Sequence, residues 1–420
     1  MHKLFLSGKI CIFVAKNRQI SRIMNYISAR VEGLAMSQTL AMSQRSGELR
    51  AQGVDVINLS LGEPDFHTPA HIKAAAMKAI EENYTFYSPV PGYLSLREAI
   101  CDKLRTENAL DYTPANIVVG NGAKQALCNV VLSTVNPGDE VIVPTPAWVS
   151  YVEMVKLAEG RVVAVPTGIE QNFKMTPQQL REAITERTRM LILCSPSNPT
   201  GSVYTREELQ GLVDVLARHP NVLVVADEIY EHINYTGSFT SMASFKELEG
   251  RVVVINGVSK AYAMTGWRIG YCAAPIEIAK AVGKLQGQYT SGPSSIAQKA
   301  AEAAYRGPQE CVGLMCEAFR RRRDLVVEMG RRIPGFVVNE PSGAFYLFPR
   351  VSDLFGTQAG GHKIESSADL AMYLLDEAHV ATVDGEAFCA PGYLRLSYAA
   401  SDESLVRAME RIAAAVEKLK

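Results

Sequence analysis

Asn256 to Tyr271, read N-G-V-S-K-A-Y-A-M-T-G-W-R-I-G-Y, sets Ser259 beside Lys260 and follows them with Arg268. The run just before it, R-V-V-V-I, has the continuous apolar character of a buried strand. A lysine just past such a strand, once partly desolvated, gives up its proton more readily and becomes a nucleophile. A hydroxyl and a guanidinium nearby are what an anionic group such as a phosphate requires. An ordinary surface turn could carry the same residues, so the rest of the chain has to decide.

Further stretches hold residues of the same kind. Gly120-x-Gly122-Ala123-Lys124 follows one predicted strand and opens a helix, where free backbone N–H groups can hold a phosphate. It is neither a full G-x-G-x-x-G nor a P-loop, and a plain tight turn fits it equally. In Pro144-Thr145-Pro146-Ala147-Trp148 the indole could stack on a planar ring or simply fill core. The prolines and glycine of S-P-S-N-P-T-G, residues 195–201, stiffen a loop around the Asn198 amide, or make only a stiff turn. Asp227, at the end of the buried run L-V-V-A and three residues before Tyr230, is costly to bury unless paired, and so asks for a cation. Arg395, between apolar neighbours in L-R-L-S-Y, would suit a bidentate carboxylate, or would face water from a sheet edge. Gly62, in Gly62-Glu63-Pro64, ends a strand in a turn where backbone can approach a ligand closely.

One ligand satisfies them all: a planar aromatic aldehyde with a phosphate, a ring nitrogen and a phenolic oxygen. Lys260 would bond to its aldehyde, Asp227 would pair with the pyridinium and Trp148 would stack on the ring. Asn198 and Tyr230 would bond the phenolic oxygen. The amides of Gly122, Ala123 and Lys124, with Ser259 and Arg268, would hold the phosphate. That ligand is pyridoxal 5'-phosphate.

Elements able to position these residues are legible in order. Ile27 to Gln52 reads as helical, broken at Ser37-Gln38-Thr39, and Val54 to Leu61 alternates like a strand. Helices are predicted at His71–Glu82 and Leu94–Thr106, then strands and helices alternate to about Ala274. Continuous apolar strands in β-α-β order imply a parallel or mixed sheet covered on both faces, an α/β architecture. Ligands in such folds gather beyond the carboxyl ends of the strands, where every candidate loop lies. After Ala274 the pattern is helical to Met329, with the basic run Arg320 to Arg323 expected to be a solvated face. Phe336–Val338, Ala344–Phe348, Val380–Val383 and Tyr393–Ser397, with helices at Ser367–Ala378 and Ser401–Lys420, suggest a smaller α+β lobe.

Composition narrows the classes. With 43 Lys+Arg against 44 Asp+Glu and no block of like charge, a nucleic-acid partner is not expected. No stretch has the length and apolarity of a membrane span. The eight scattered cysteines, without a C-x-x-C pair, are expected to be reduced and mostly buried, as in a cytoplasmic protein. Residues 1–23 differ from the rest: Leu4 to Ala15 is apolar but interrupted by Lys9, and Met24 would make a sensible start. They read as a disordered extension or a misassigned start.

The motifs S-P-S-N-P-T-G, A-D-E-I-Y-E, S-K-A-Y-A-M-T-G-W-R-I-G and R-L-S-Y resemble those of class I/II, fold type I, pyridoxal-phosphate aminotransferases. The resemblance, strongest to bacterial aspartate aminotransferases, runs from about Ser28 to the C-terminus. It implies a mostly parallel seven-stranded sheet between helices in a large cofactor-binding domain, residues 67–305. A smaller α+β domain, 306–420, and an N-terminal segment, 24–66, packing with it are also implied. So is a homodimer with shared active sites, Tyr87 reaching the phosphate of the neighbouring subunit. Arg395 matches the residue that clamps the substrate α-carboxylate, assisted by Asn198 and the backbone at Gly62. Lys124, Ser37 and Thr39 match positions that meet the distal carboxylate of a dicarboxylic substrate. The expected reaction passes an amino group from an L-amino acid, aspartate first, to a 2-oxo acid such as 2-oxoglutarate in a ping-pong cycle using Lys260, Asp227 and Tyr230. The alternatives are an aromatic- or prephenate-type aminotransferase, a β-lyase on the same cofactor, and a regulatory binding module.

Overall fold

The structure, a computed structural model, describes residues 26–36 and 38–420; the expectations for residues 1–23 and for Ser37 lie outside them. The chain divides into two units, Met1–Ala35 and Met36–Lys420. Among its described residues the first holds one short helix, Ala29–Glu32. The second carries the main sheet, the smaller lobe and the candidate loops.

Seven strands make the main sheet: β1 (Ile117–Asn121), β2 (Glu140–Thr145), β3 (Arg161–Pro166), β4 (Thr188–Cys194), β5 (Leu223–Asp227), β6 (Val252–Gly257) and β7 (Ile269–Ala273). Their spatial order is β1-β7-β6-β5-β4-β2-β3. All neighbours are parallel except β7, which runs antiparallel to both β1 and β6. The strands read as unbroken apolar runs because both faces are covered. Leu191 and Leu193 enter one core with the helices Leu94–Asn108 and Arg206–Leu216, while Met190 and Ile192 enter the opposite core with Ala123–Thr134. Each such fully buried side chain contributes about 1.5–3 kcal/mol relative to exposure. Helix starts follow local chemistry: Thr176 and Thr205 each close a capping box, with Gln179 and Glu208.

Strand direction decides where the candidate loops gather. β1, β2, β4, β5 and β6 point the same way, so the loops after Asn121, Thr145, Cys194, Asp227 and Gly257 emerge at one edge. Since β6 and β7 are antiparallel neighbours, no crossover helix separates them, and their connection is the Ser259–Arg268 loop itself. Gly270 is needed where β7 passes under the helix at Ala123, because a Cβ there would lie 2.1 Å from the Ala123 amide nitrogen.

A second core is built on β8 (Tyr346–Leu347), β9 (Val383–Asp384) and β10 (Leu394–Ser397), antiparallel in the order β9-β10-β8. The helices Glu310–Gly330, Ser367–Ala378 and Asp402–Val416 pack on it. Ile57–Asn58 pairs in parallel with Val380–Ala381, and Ile57 and Leu59 are buried in this same core.

Four expectations need correction. Val54 to Leu61 pairs only over Ile57–Asn58, because the Asn58 side chain turns the chain by accepting from the Ser60 amide (2.9 Å) and hydroxyl (2.7 Å). Phe336–Val338 makes a single bridge, Val337 to Arg350; Pro334 and Pro341 on either side lack the amide donors a longer ladder needs. The Arg320–Arg323 run is only in part a solvated face: the Arg321 side chain is exposed and that of Arg320 half-buried, but the Arg322 guanidinium is buried between Asp65 and Asp402. Of the seven described cysteines, all free, only Cys101 and Cys272 are buried. Among the described residues no helix is long and apolar enough to cross a membrane.

Candidate active site

A cavity of about 410 Å³ opens at the carboxyl edge of the main sheet. Of the residues marked out by sequence, Thr39, Gly62, Ala123, Lys124, Trp148, Asn198, Asp227, Tyr230, Ser259, Lys260, Arg268 and Arg395 all border it. A larger hollow of about 630 Å³ beyond Arg268, edged by Phe66 and Trp267, has neither a lysine nor a carboxylate in its wall. The chemistry belongs to the smaller space.

Lys260 leaves the end of β6 and donates from Nζ to the Gly62 carbonyl at 2.5 Å. The cavity walls close around its amine, and this desolvation lowers its pKa to about 8. Glu63 opposes the shift, while Arg268 and Arg395 add to it. Asp227 ends β5 and is buried; burial raises its carboxyl, and the hydroxyl of Tyr151, donating at 2.7 Å, pulls it back down. The Ile229 amide donates to its other oxygen at 3.3 Å. This carboxylate has a neutral donor close by and, among the described residues, no bonded cation of its own.

Arg395 lies on β10, 2% exposed, so it is no edge residue facing water. Its fork donates from Nη1 to Asn198 Oδ1 (3.1 Å) and from Nη2 to the Ser60 carbonyl (2.5 Å), while the buried Nε has no partner among the described residues. The guanidinium lies 4.7 Å from the Tyr346 ring and 4.9 Å from that of Phe388, which hold it in place. The Asn198 amide is thus aligned by Arg395, and the Tyr230 hydroxyl is shared with that of Tyr346 at 2.7 Å.

At the other end of the cavity Arg268, itself in the left-handed region at φ 59°, donates to the carbonyls of Thr265 (2.9 Å) and Asn121 (3.3 Å). Gly122, at φ 83°, stands directly beside it: a Cβ there would sit 2.3 Å from Arg268 Nη2. An open glycine turn, a helix start at Ala123 and a guanidinium make a cradle of the size and charge of a phosphate. Trp148 caps the helix Val149–Leu157, lies edge-on to Tyr151 at 5.4 Å and carries the Lys124 ammonium 4.7 Å above its ring.

Tyr87 is not part of this wall; it is 97% exposed, beside a separate hollow edged by Phe86 and Pro293. Two residues escaped the sequence reading. Tyr151 and Tyr346 both border the cavity and orient its acid and its Tyr230 hydroxyl. Tyr151 had a faint signal, a polar-tipped aromatic one helical turn from Trp148; Tyr346, inside A-F-Y-L-F, had none.

Behind the site the loops are tied by charge. Lys103 is buried against Glu231, which also accepts from Asn256 Nδ2 (2.7 Å) and Asn108 Nδ2 (2.8 Å). Burial works to raise the Glu231 carboxyl, but Lys103, His232 and Asn108 together outweigh it and bring the pKa to about 2. Glu107 and His232 complete the cluster at 2.8 Å from each other. Because Glu231 follows Tyr230 and Asn256 lies on β6, this network joins the loop carrying Asp227 to the loop carrying Lys260.

Residues 54–412 match the family model described as aminotransferase class I and II. The chain is 50% identical over 394 residues to an aspartate/prephenate aminotransferase of Cereibacter sphaeroides, covering 93% of this chain and 98% of that one. To an aspartate aminotransferase of Geobacillus stearothermophilus it is 49% identical, over 92% and 98% of the two chains. The crystal structure of the aspartate aminotransferase from Rhizobium meliloti superimposes with a TM-score of 0.90 at 43% identity, over 94% of this chain and 99% of that one. The Thermus thermophilus aspartate aminotransferase with maleate gives 0.87 at 43% identity, over 93% and 100%.

Proposed function

The chain belongs to the class I and II aminotransferases, and on that premise we propose that it moves the amino group of an L-amino acid, aspartate foremost, to a 2-oxo acid such as 2-oxoglutarate, with pyridoxal 5'-phosphate. The observation that carries this reading is one cavity bordered by a desolvated lysine, a buried carboxylate without a bonded cation among the described residues, and a buried arginine held in one orientation. When bound, the cofactor supplies an aldehyde that takes up the amino group and a pyridine ring that accepts the electrons of a breaking Cα–H bond.

The residues present fit that group. Gly122, Ala123 and Lys124, with Ser259 and Arg268, would hold the phosphate in the open cradle. Trp148 would cover the ring, Asn198 and Tyr230 would face the phenolic oxygen, and Asp227 would receive the protonated ring nitrogen as its missing cation. Lys260, with a pKa near 8, is neutral in a useful fraction near neutral pH. Its amine would therefore hold the aldehyde and, when free, would serve at the substrate Cα as base and then acid. Arg395, its guanidinium fixed by Asn198 and the Ser60 carbonyl, would seat the α-carboxylate, with Asn198 and the backbone at Gly62 beside it. Lys124, Thr39 and Ser37 would meet a distal carboxylate. The active unit is proposed to be a homodimer in which Tyr87 completes the neighbouring subunit's phosphate site, which accounts for its full exposure in a single chain.

A second acceptor class, prephenate, is favoured by the relative from Cereibacter sphaeroides, whose name pairs it with aspartate. Kinetics over a panel of amino donors and oxo-acid acceptors, prephenate included, distinguish the two, and half-reactions releasing pyruvate would indicate a lyase. Lys260→Ala is expected to abolish steady-state transamination and the cofactor's lysine-linked absorbance. Retention of both would sink the assignment.

A further inference from the structure

The segment from Ser60 to Thr68 borders the cavity through Leu61, Gly62 and Glu63 and is anchored at both ends. At its start the Leu59 carbonyl accepts from the Ser397 amide at 2.8 Å, tying it to β10. At its end Thr68 Oγ1 donates to the Ala263 carbonyl (2.7 Å) and accepts from Trp267 Nε1 (3.0 Å), tying it to the Lys260 loop. Between these anchors the backbone meets the reacting groups, since the carbonyls of Ser60 and Gly62 accept from Arg395 and Lys260. No side chain could replace the hydrogen at Gly62, where a Cβ would lie 2.6 Å from the Tyr346 hydroxyl. The placement of this strap therefore sets how the carboxylate clamp and the amine face each other.

What holds the middle of the strap is Arg322, the buried member of the basic run. Its Nη1 and Nη2 donate to Asp65 Oδ1 (2.7 Å) and Oδ2 (3.0 Å) in a bidentate pair, and Nε donates to Asp402 at 3.1 Å. The guanidinium stacks over Phe66 (5.2 Å) and Phe319 (5.7 Å), whose rings meet edge to face at 5.5 Å. A planar fork seated between two carboxylates and two rings has one orientation. Glu63 gives the strap a second mid-span bond, accepting from Thr265 at 2.9 Å, but an exposed one.

We propose that Arg322 is a positioning residue for the reaction: by clamping Asp65 it fixes the Ser60–Gly62 backbone against Arg395 and Lys260, and so sets the affinity of the α-carboxylate site. This rests on the aminotransferase reading of the cavity. Its effect falls on binding of every carboxylate substrate alike, because the strap touches the clamp common to all of them and not the end that distinguishes one side chain from another.

The test uses the cofactor-loaded full chain. Wild type, Arg322→Met, Arg322→Lys, Asp65→Asn and Asp402→Asn are compared by KM and kcat for aspartate and 2-oxoglutarate, and by the dissociation constant of succinate, a non-reactive dicarboxylate. Arg322→Met and Asp65→Asn are expected to raise both KM values and the succinate constant about tenfold, with kcat changed less than about threefold, as for a site whose groups are displaced by a fraction of an ångström. Arg322→Lys, keeping the charge but losing the fork, should fall between. Asp402→Asn removes a bond of the same guanidinium on the side away from the strap and should leave the succinate constant within about twofold. Unchanged succinate binding in Arg322→Met and Asp65→Asn overturns the proposal, as does an equal loss in Asp402→Asn, which would mark a merely structural role. Should Arg322→Met fail to accumulate, Asp65→Asn decides alone. A wild type that binds no succinate and transfers no amino group would instead defeat the functional reading itself.

Discussion

Lys260 should cost the cofactor-free protein stability, and replacing it should recover that stability in a pH-dependent way. Its amine has a pKa of about 8 in the folded chain against 10.5 for an ordinary lysine. At about 1.36 kcal/mol for each tenfold in proton affinity, that gap amounts to about 3 kcal/mol. The sign comes from linkage. Below pH 8 the amine is charged in both states and the folded state bears the whole desolvation cost; as pH rises from about 8 toward 10.5 the folded amine is already neutral and the cost disappears. Lys260→Met keeps an unbranched chain in the cavity without the charge. It is therefore expected to stabilise the cofactor-free protein by about 3 kcal/mol at pH 7, with the gain fading between pH 8 and 10.5. The assay is urea unfolding of both proteins, stripped of cofactor, at several pH values from 6.5 to 10 at fixed protein concentration, so that subunit association contributes equally. No gain at pH 7, or a gain that does not shrink with rising pH, would refute the reasoning that burial sets this amine's proton affinity.

Tyr151→Phe removes the 2.7 Å bond to Asp227 and lets burial push that carboxyl further up. Loss of a charge-assisted bond of about 1.5–3 kcal/mol should move the acid limb of kcat/KM to higher pH; an unmoved limb argues that Tyr151 does not hold this charge. Gly122→Ala forces a side chain into φ 83° and against Arg268 at 2.3 Å. With about 1–3 kcal/mol of strain, cofactor affinity measured by fluorescence titration should drop at least about tenfold, and an affinity within about twofold of wild type would contradict the cradle. Lys103→Met strands Glu231 as a buried unpaired carboxylate, and chemical unfolding at pH 7 should show a loss of about 3–5 kcal/mol. In wild type the Glu231 contribution is full above its ordinary pKa of 4.5 and is lost as pH falls toward its folded value of about 2.

How much of this was legible in the sequence depends on what kind of signal each residue leaves. Strands β1, β2, β4, β5 and β6 were readable because strands buried on both faces are continuous apolar runs, and each active loop follows one of them. Lys260, Asp227 and Arg395 stood out for the same reason: a charge written into an apolar context has to be explained. Tyr151 and Tyr346 did not, because an aromatic among apolar residues is core by default, and only the fold shows where its hydroxyl points. The Arg320–Arg323 run misled in the opposite direction. Four consecutive basic residues on a helix look solvated, yet a helix turns about 100° per residue, so one of four neighbours can face inward. Its two acids, Asp65 and Asp402, lie on segments far from it in sequence. Alternation over Val54 to Leu61 found the strand at Ile57–Asn58 but not its ends, since the extent of pairing there depends on partners and not on pattern.

The two main charges of the site are moved toward each other by the same cause. Burial lowers the Lys260 ammonium to about 8 and raises the Asp227 carboxyl, so the empty site destabilises both ionised forms at once. A protein that merely needed a stable core would gain by removing them. Just behind, Glu231 is fully compensated by Lys103, Asn108 and Asn256, and Arg322 by two carboxylates. Those two buried charges, which join loops, are satisfied, whereas Asp227 at the cavity has no ion-pair partner among the described residues. A cationic ring nitrogen at Asp227 and a carbonyl carbon at Lys260 would relieve both costs together. Binding of such a group therefore draws on energy the fold has already stored, and the Lys260→Met protein, having lost that store, should be the more stable empty form and the poorer host.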